Sequence, residues 1–588
     1  MADVELSVIQ PARRESAPSS SPPPSPHEEA TPNDDEDDDS TESWPSRSDH
    51  LAMLLGVAIG LGHVLQSPYF YYAIGGGAYF LAYLLLLVLF GFPLLLLESF
   101  IGQFSSSTAI GVYSSFPAFK GVGITSCVVL LLNAPSVAVS TGIPVLFVGY
   151  SFIYIDKWGS CDNYWNSEYC SDMANGSYYE SSIIFMPAME FYERVVLQAP
   201  SVGLSWHLSL AALLVWALVF FALFSGVRAL GKIMWVIGGC TLVLFTLFFL
   251  YGVTLPGALE GIGHMFYFGA HKLLDHDTWV TAASQILFTY LFGFGFYTTM
   301  SSFNKFRHSF VRDALVVTLT SVAMELLAGI TVCSIFGFFA REEGFSVHDF
   351  VSTGEYLIYG TLPQAFSKMN QPAFCSCVFY LTAFLLALST FIVYTEVLVE
   401  CILTVFRRWR SKRWLLVLAL CIAGFLFSLA YCSKNGLGWI SYVDGFSGII
   451  TSPTICLLEV IVFVYIYGAG RLARDVEMLS NVFLSYYCYF TWIFTTPLVL
   501  VILLVSRLLL LIETTEYYDT QIGVYLLAFS PSMIIPIYSL CYVLRNDCCK
   551  KLQFQETPWE PRAASNKSAW KLFCSQRPVR RSLVHRTF

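Results

Sequence analysis

Charge is what this chain has least of. Asp, Glu, Lys and Arg make up 13% of its 588 residues, against roughly 25% in a soluble domain, which excludes a soluble multidomain enzyme. Cysteine is also sparse: the 16 residues lie mostly inside apolar runs, where they act as small hydrophobes rather than as a disulfide scaffold. The chain has no phosphate-binding glycine loop, no H-E-x-x-H and no nucleophile elbow, so no enzymatic activity is expected. Its N-terminus lacks a basic segment leading into a short apolar run, so no cleaved signal peptide is expected.

What is present is apolar. Hydrophobic residues reach 55% and aromatics 16%, with a mean hydropathy of +0.60. Twelve stretches are long enough to span a bilayer at about 20 residues each: 51–73, 78–102, 122–153, 206–225, 232–255, 278–303, 312–340, 373–406, 413–431, 439–468, 487–511 and 522–543. The spacing predicts helices, because barrel strands would be short and alternating. The fold class expected is therefore an all-α membrane protein of twelve transmembrane helices.

The formal net charge of −9 hides a division along the chain. Residues 1–50 hold 13 acids and 3 bases, whereas 545–588 hold 3 acids and 10 bases. Residues 1–48 are Ser, Pro and acid, too polar to offset their ordering entropy, and are expected to be a disordered acidic tail. The apolar body then covers 49–544, and 545–588 form a basic tail suited to an anionic leaflet. Arg228/Lys232, Lys305/Arg307/Arg312, Arg407–Arg413 and Arg471/Arg474 fall on one side of the twelve-span count, with both tails. That side is expected to be cytoplasmic. On the opposite side, the 154–205 loop places Cys161 and Cys170 where a local disulfide is favoured, and Asn175 opens a glycosylation sequon.

Two spans carry glycines at mid-depth, GVAIGLGHV (Gly56–Val64) and FGFG (Phe292–Gly295). Backbone that unwinds inside a membrane is tolerated where it lines a cavity or is buried in protein, and its freed carbonyls can coordinate a cation. The breaks fall in the first and sixth spans, equivalent places in a five-plus-five repeat.

GLGHVLQSPYFYYAIGGGAYFLAY resembles the first-helix signature of the neurotransmitter:sodium symporter family, the amine and amino-acid transporters with the LeuT fold. GFPLLLLESFIGQ, the W-x-x-C…W-N…C loop, PAMEFYERVVLQ, SQILFTYLFGFG, LLAGITVCSIFGFFA, YGAGRLARDVEML and LLAFSPSMIIPIY extend the resemblance, in family order, over roughly residues 50–545. It implies a LeuT-like inverted repeat with helices 1 and 6 unwound, a plasma-membrane location, a small-molecule substrate and no nucleic-acid partner.

The resemblance also implies ion sites. The second sodium site falls on the carbonyls of Gly56, Ile59 and Leu386 and the hydroxyls of Ser389 and Thr390, and looks intact. The first falls on Ala58, His63, Thr289 and Ser321 and is degenerate, because His63 and Ser321 stand where the family has Asn. Imidazole prefers softer metals or a proton. Glu325 stands where chloride-dependent members carry a Ser that ligates chloride, and where chloride-independent bacterial members carry Glu. With Tyr83 and Gln285 beside it, Glu325 implies that chloride is not required. A protonated His63 would replace the missing sodium charge and pair with Glu325.

For the substrate the resemblance implies Ala58, Gly60, Gly62, Leu132, Ser136, Phe288, Leu291, Phe294 and Tyr394, an apolar, aromatic lining. Gly60 replaces the Asp of amine transporters, and Ser136 replaces a Tyr that holds a substrate carboxylate. The outer gate is weakened, with Gln66 in place of the family's Arg opposite Asp444. These features imply a sodium-driven, chloride-independent symporter of a small amino-acid-like solute. The competing reading, carried by His63, Gln66, Ser136 and Ser321, is a transport-deficient member acting as a membrane receptor or scaffold.

Overall fold

A computed structural model describes residues 43–170, 186–198, 203–344, 356–433, 436, 440, 450–480, 486–517, 522–545 and 559–577. Every named element among them is helical; extended pairing is confined to two isolated bridges, Gly76 with Phe268 and Leu204 with Ser433. Among the described residues, eight helices are long and apolar enough to cross a membrane: Gly77–Ser105, Pro117–Ile153, Trp206–Leu223, Val227–Val253, Phe310–Glu343, Pro372–Val405, Arg407–Tyr431 and Tyr486–Leu510. Two bent pairs bring the number to ten, Arg47–Val64 with Ser67–Gly75 (50°) and Ser452–Ile466 with Ala469–Ser480 (93°).

The expected sixth span, 278–303, is split into His276–Tyr290 and Phe296–Ser301, each too short to cross alone. The expected twelfth, 522–543, is present as the helix Ile522–Arg545, and the tenth begins in residues outside those described. Lipid-facing surface is evident on Val227–Val253, where Val236, Leu242, Val243, Leu247 and Leu250 are exposed.

Nine helices position the site: α1 (Arg47–Ala58), α2 (Gly62–Leu65), α3 (Phe92–Ser105), α4 (Lys120–Ile153), α5 (His276–Tyr290), α6 (Phe296–Ser301), α7 (Phe310–Glu343), α8 (Pro372–Val405) and α9 (Ser452–Val460). Two of the three 34-residue helices, α4 and α8, are joined by an aromatic contact between Phe147 and Tyr380 (4.7 Å between centroids) and a Ser151–Ser376 hydroxyl bond (2.6 Å). Polar ties between apolar helices substitute for the hydrophobic drive that lipid removes.

Ordered packing begins ahead of residue 49, the expected start of the body. Trp44 is buried and its indole donates to Met300 O (2.9 Å), while Ser46 caps α1 by accepting from the Asp49 amide (3.2 Å). At the other end, the 545–588 tail is not wholly free. Trp559 is buried and stacks on Phe104 (5.5 Å), and Trp570, on the helix Ala564–Gln576, donates to Asp475 Oδ1 (2.9 Å).

Candidate functional site

The first break is short. α1 leaves helical geometry at Ile59 (φ −106°, ψ 47°), and α2 resumes at Gly62. Gly56, Leu386, Ser389 and Thr390 converge beside it. Ser389 Oγ donates to Leu386 O (2.8 Å) and Gly56 O (3.3 Å), and Thr390 Oγ1 to Gly56 O (3.1 Å) and Leu386 O (3.2 Å). Two carbonyls and two hydroxyls of α1 and α8 thus share one small volume, a set of neutral hard oxygens suited to a hard cation. Gly60 belongs to the same corner, since a Cβ there would sit 3.0 Å from Thr390 Oγ1. Ile59, the remaining expected ligand, is the residue at which the helix stops.

On the other side of the break stands His63, buried, with both ring nitrogens engaged. Nδ1 lies 2.6 Å from Glu325 Oε2, and Nε2 lies 2.9 Å from Ala58 O and 3.3 Å from Ser321 Oγ. A carbonyl can only accept, so Nε2 carries a proton. At 2.6 Å a second proton must lie between Nδ1 and Oε2, whichever atom holds it, because a bare lone pair facing a carboxylate would repel. Two of the positions expected for the first sodium site, Ala58 and Ser321, therefore hold the imidazole's Nε2 end. The imidazole ring lies where the resemblance places a monovalent cation.

Glu325 is fully buried on α7. The phenols of Tyr71, Tyr79, Tyr83 and Tyr290 lie within electrostatic range of its carboxylate. Gln285 Nε2 donates to Ser67 Oγ (3.1 Å), while Gln285 Oε1, Thr289 Oγ1 and Glu325 Oε1 are buried with no hydrogen-bond partner among the described residues. Buried polar atoms of this kind need water or an ion as partner, so the group retains unused coordinating capacity around a fixed carboxylate.

The second break runs through residues 291–295, where Leu291, Gly293 and Gly295 all take positive φ (51°, 83° and 78°). Leu291 is a non-glycine residue in the left-handed region, a strained conformation that persists only where neighbours enforce it. Its neighbours are visible. The Gly293 amide donates to Glu98 Oε1 (2.8 Å), Ser126 Oγ donates to Gly293 O (2.9 Å), and Ser452 Oγ to Phe292 O (2.7 Å). Side chains from α3, α4 and α9 thus replace the helical bonds the break gives up. Glu98, Ser126 and Ser452 were not singled out by motif. Glu98 carried a usable signal, a lone acid in the apolar run GFPLLLLESFIGQ; the two serines carried none.

The expected substrate lining is brought together only in part. Phe288 packs on Gly62, where a Cβ would lie 2.9 Å from its ring, yet remains 42% exposed. Phe294 and Tyr394 are buried, with Tyr394 OH donating to Leu130 O (3.1 Å). Ser136 bonds back to Asn133 O (2.8 Å) on its own helix, and Leu132 is 48% exposed on α4. Cys161 and Cys170 are bonded, with Cα atoms 5.8 Å apart. Gln66 ends α2 by donating its amide to Gly62 O (3.2 Å). Asp444 and Asn175 lie outside the described residues.

Comparison with known proteins identifies the family. Residues 41–546 match the sodium:neurotransmitter symporter family. A sodium- and chloride-dependent GABA transporter 2 from Bos taurus is 31% identical over 533 residues, covering 86% of each chain. Its counterpart from Homo sapiens is 30% identical over 527 residues (84% of this chain, 86% of the relative). A sodium-dependent serotonin transporter from Drosophila melanogaster is 29% identical over 530 residues (87% and 85%).

Proposed function

Because the chain belongs to the sodium:neurotransmitter symporter family, and is thus a multi-pass, sodium-coupled membrane transporter of a small molecule rather than an enzyme, we propose that it moves an amino-acid-like solute with sodium at one site and without chloride. The chief support is the His63 geometry. The ring donates to Ala58 O and shares a proton with Glu325; with that proton on the imidazole, an internal cation would take the place of the first sodium and an internal anion the place of chloride. Sodium remains as cargo at Gly56, Ile59, Leu386, Ser389 and Thr390. The relatives named as chloride-dependent differ in this respect from what Glu325 supports here.

Twelve spans in a five-plus-five inverted repeat belong to the same proposal, with both termini and the basic connections in the cytosol, the 154–205 loop outside and the plasma membrane as location. Gly60 removes the carboxylate that an amine would need, and the aromatic lining of Phe288, Phe294 and Tyr394 suits an apolar side chain. The substrate would meet the broken helices near mid-depth, and access would alternate by rocking of the broken helices and their partners against the remainder.

Proteoliposome flux against an amino-acid panel tests this directly. Uptake should follow an inward sodium gradient and persist when chloride is replaced by gluconate. Uptake abolished by chloride removal would defeat the chloride-free part, and sodium-dependent thermal stabilisation without flux for any solute would favour the receptor or scaffold. The sodium site has its own test. Thr390→Val removes one oxygen of the set, and sodium-induced stabilisation should then need about tenfold more sodium, equivalent to about 1.4 kcal/mol. An unchanged sodium titration would remove Thr390 from the site.

A further inference from the structure

A second cluster lies at the other end of α1, away from the broken segments. His50 of α1 is wholly buried; His308 sits in the connection before α7, its side chain 14% exposed; Asp313 is buried in the first turn of α7. His50 Nδ1 lies 3.0 Å and His308 Nε2 2.5 Å from the same oxygen, Asp313 Oδ2. The three donor atoms all fall within 4.8 Å of one another, and the two imidazoles stand edge to face with centroids 5.3 Å apart.

We propose that His50, His308 and Asp313 form a binding site for a divalent transition-metal ion of the zinc class. Two imidazoles and one carboxylate are the donor types zinc takes, with a fourth position left for water. Neutral nitrogen ligands disfavour magnesium or calcium, which take oxygen shells. Zinc bonds of about 2.0–2.1 Å call for imidazole–carboxylate separations only somewhat wider than the 3.0 and 2.5 Å present, so small side-chain rotations open room for the ion. The part-exposed His308 ring offers the entry path.

The surroundings hold the ligands in position, as metal sites require. Arg47 takes the other carboxylate oxygen, with Nε 2.9 Å and Nη2 2.5 Å from Asp313 Oδ1, and so turns Oδ2 toward the imidazoles. Gln103 Nε2 donates to His308 O (2.7 Å) and Phe306 O (3.0 Å), fixing the connection. Asn304 Nδ2 reaches both Gln103 Oε1 and His50 Nε2 (3.2 Å each). Coordination through His50 Nδ1 puts that ring's remaining proton on Nε2. The Asn304 amide then turns its oxygen to accept it, giving up the bond to Gln103 Oε1.

An ion bound here would fasten the start of α1, whose far end carries Gly56, to α7, which carries Ser321 and Glu325. Occupancy would therefore bear on any motion of α1 relative to α7. None of the three ligands belongs to the sodium or substrate positions, so the site stands or falls independently of the proposed transport.

The experiment uses the full-length protein in detergent, titrated with zinc chloride and followed by calorimetry and thermal unfolding. One equivalent of zinc should bind and raise the unfolding temperature. His50→Phe and His308→Asn should each weaken binding by at least about tenfold, whereas His276→Ala, at an exposed histidine beside Asp277, should leave it unchanged. Should a variant fail to fold, zinc-edge absorption on the unaltered chain decides, with two imidazoles in an all nitrogen and oxygen shell expected. Absence of binding, binding retained in both variants, or a shell containing sulfur would overturn the proposal.

Discussion

Glu325→Ala should destabilise the protein by about 3–5 kcal/mol, the effect of removing one member of a buried ion pair and leaving the other without its partner. Among the described residues His63 has no second anion to turn to: its other contacts are the Ala58 carbonyl and the Ser321 hydroxyl. The informative comparison is the double variant His63→Asn/Glu325→Ser, which restores the residues that the resemblance assigns to the family at these positions. It should recover most of the lost stability in the presence of sodium chloride. It should also lose that recovery when gluconate replaces chloride, because neither fixed charge remains. Thermal unfolding of the two single variants and the double in both salts completes the cycle. Strictly additive effects of the two substitutions, with no salt dependence in the double, would show that His63 and Glu325 are not coupled and would remove the basis for chloride independence.

Gly102→Ala is expected to be the most damaging substitution of a single methyl group in the region. A Cβ at Gly102 would stand 1.9 Å from Thr298 O and 2.7 Å from Thr298 C. The obstacle is backbone, which cannot rotate away as a side chain can. Overpacking commonly costs about 1–3 kcal/mol, and a clash with backbone belongs at or beyond the upper figure, about 3 kcal/mol. The consequence extends to the site. One turn of α3 carries Gly102 and Glu98, and Glu98 holds the second break through the Gly293 amide while its own carbonyl accepts from Thr298 Oγ1 (3.2 Å). Pushing α6 away from α3 therefore strains the contacts that keep residues 291–295 unwound. Gly263→Ala is the control, since nothing lies within 4 Å of a Cβ there. A Gly102→Ala protein that unfolds at the unaltered temperature would mean that the α3–α6 contact is looser than the structure has it.

Both predictions concern positions whose importance was unequally legible beforehand. His63 and Glu325 are conspicuous in sequence because an imidazole and a carboxylate inside apolar spans are rare and demand partners. That they are each other's partner follows from a pairing across 262 residues, which charge complementarity suggested and only folding could bring about. Gly102 is one of 40 glycines and nothing local sets it apart. Its role exists only because another helix's carbonyl presses on its face.

The same division runs through the whole molecule. Apolar runs of bilayer length and scarce charge determine from sequence that the chain is a helical membrane protein, since backbone polar groups in lipid must be satisfied within each segment. Glycines at mid-depth mark where two spans break, because glycine weakens a helix and permits positive φ. What replaces the lost helical bonds was beyond the sequence. Ser126, Ser452 and Glu98 come from three separate helices, and a serine in an apolar run more often bonds to its own turn. Likewise, the His50–His308–Asp313 cluster assembles from the start of α1 and, far along the chain, the connection into α7 and that helix's first turn. Local composition determined the spans and their weak points; the distances between side chains on different helices, on which every ion site depends, were decided by the packing of the bundle.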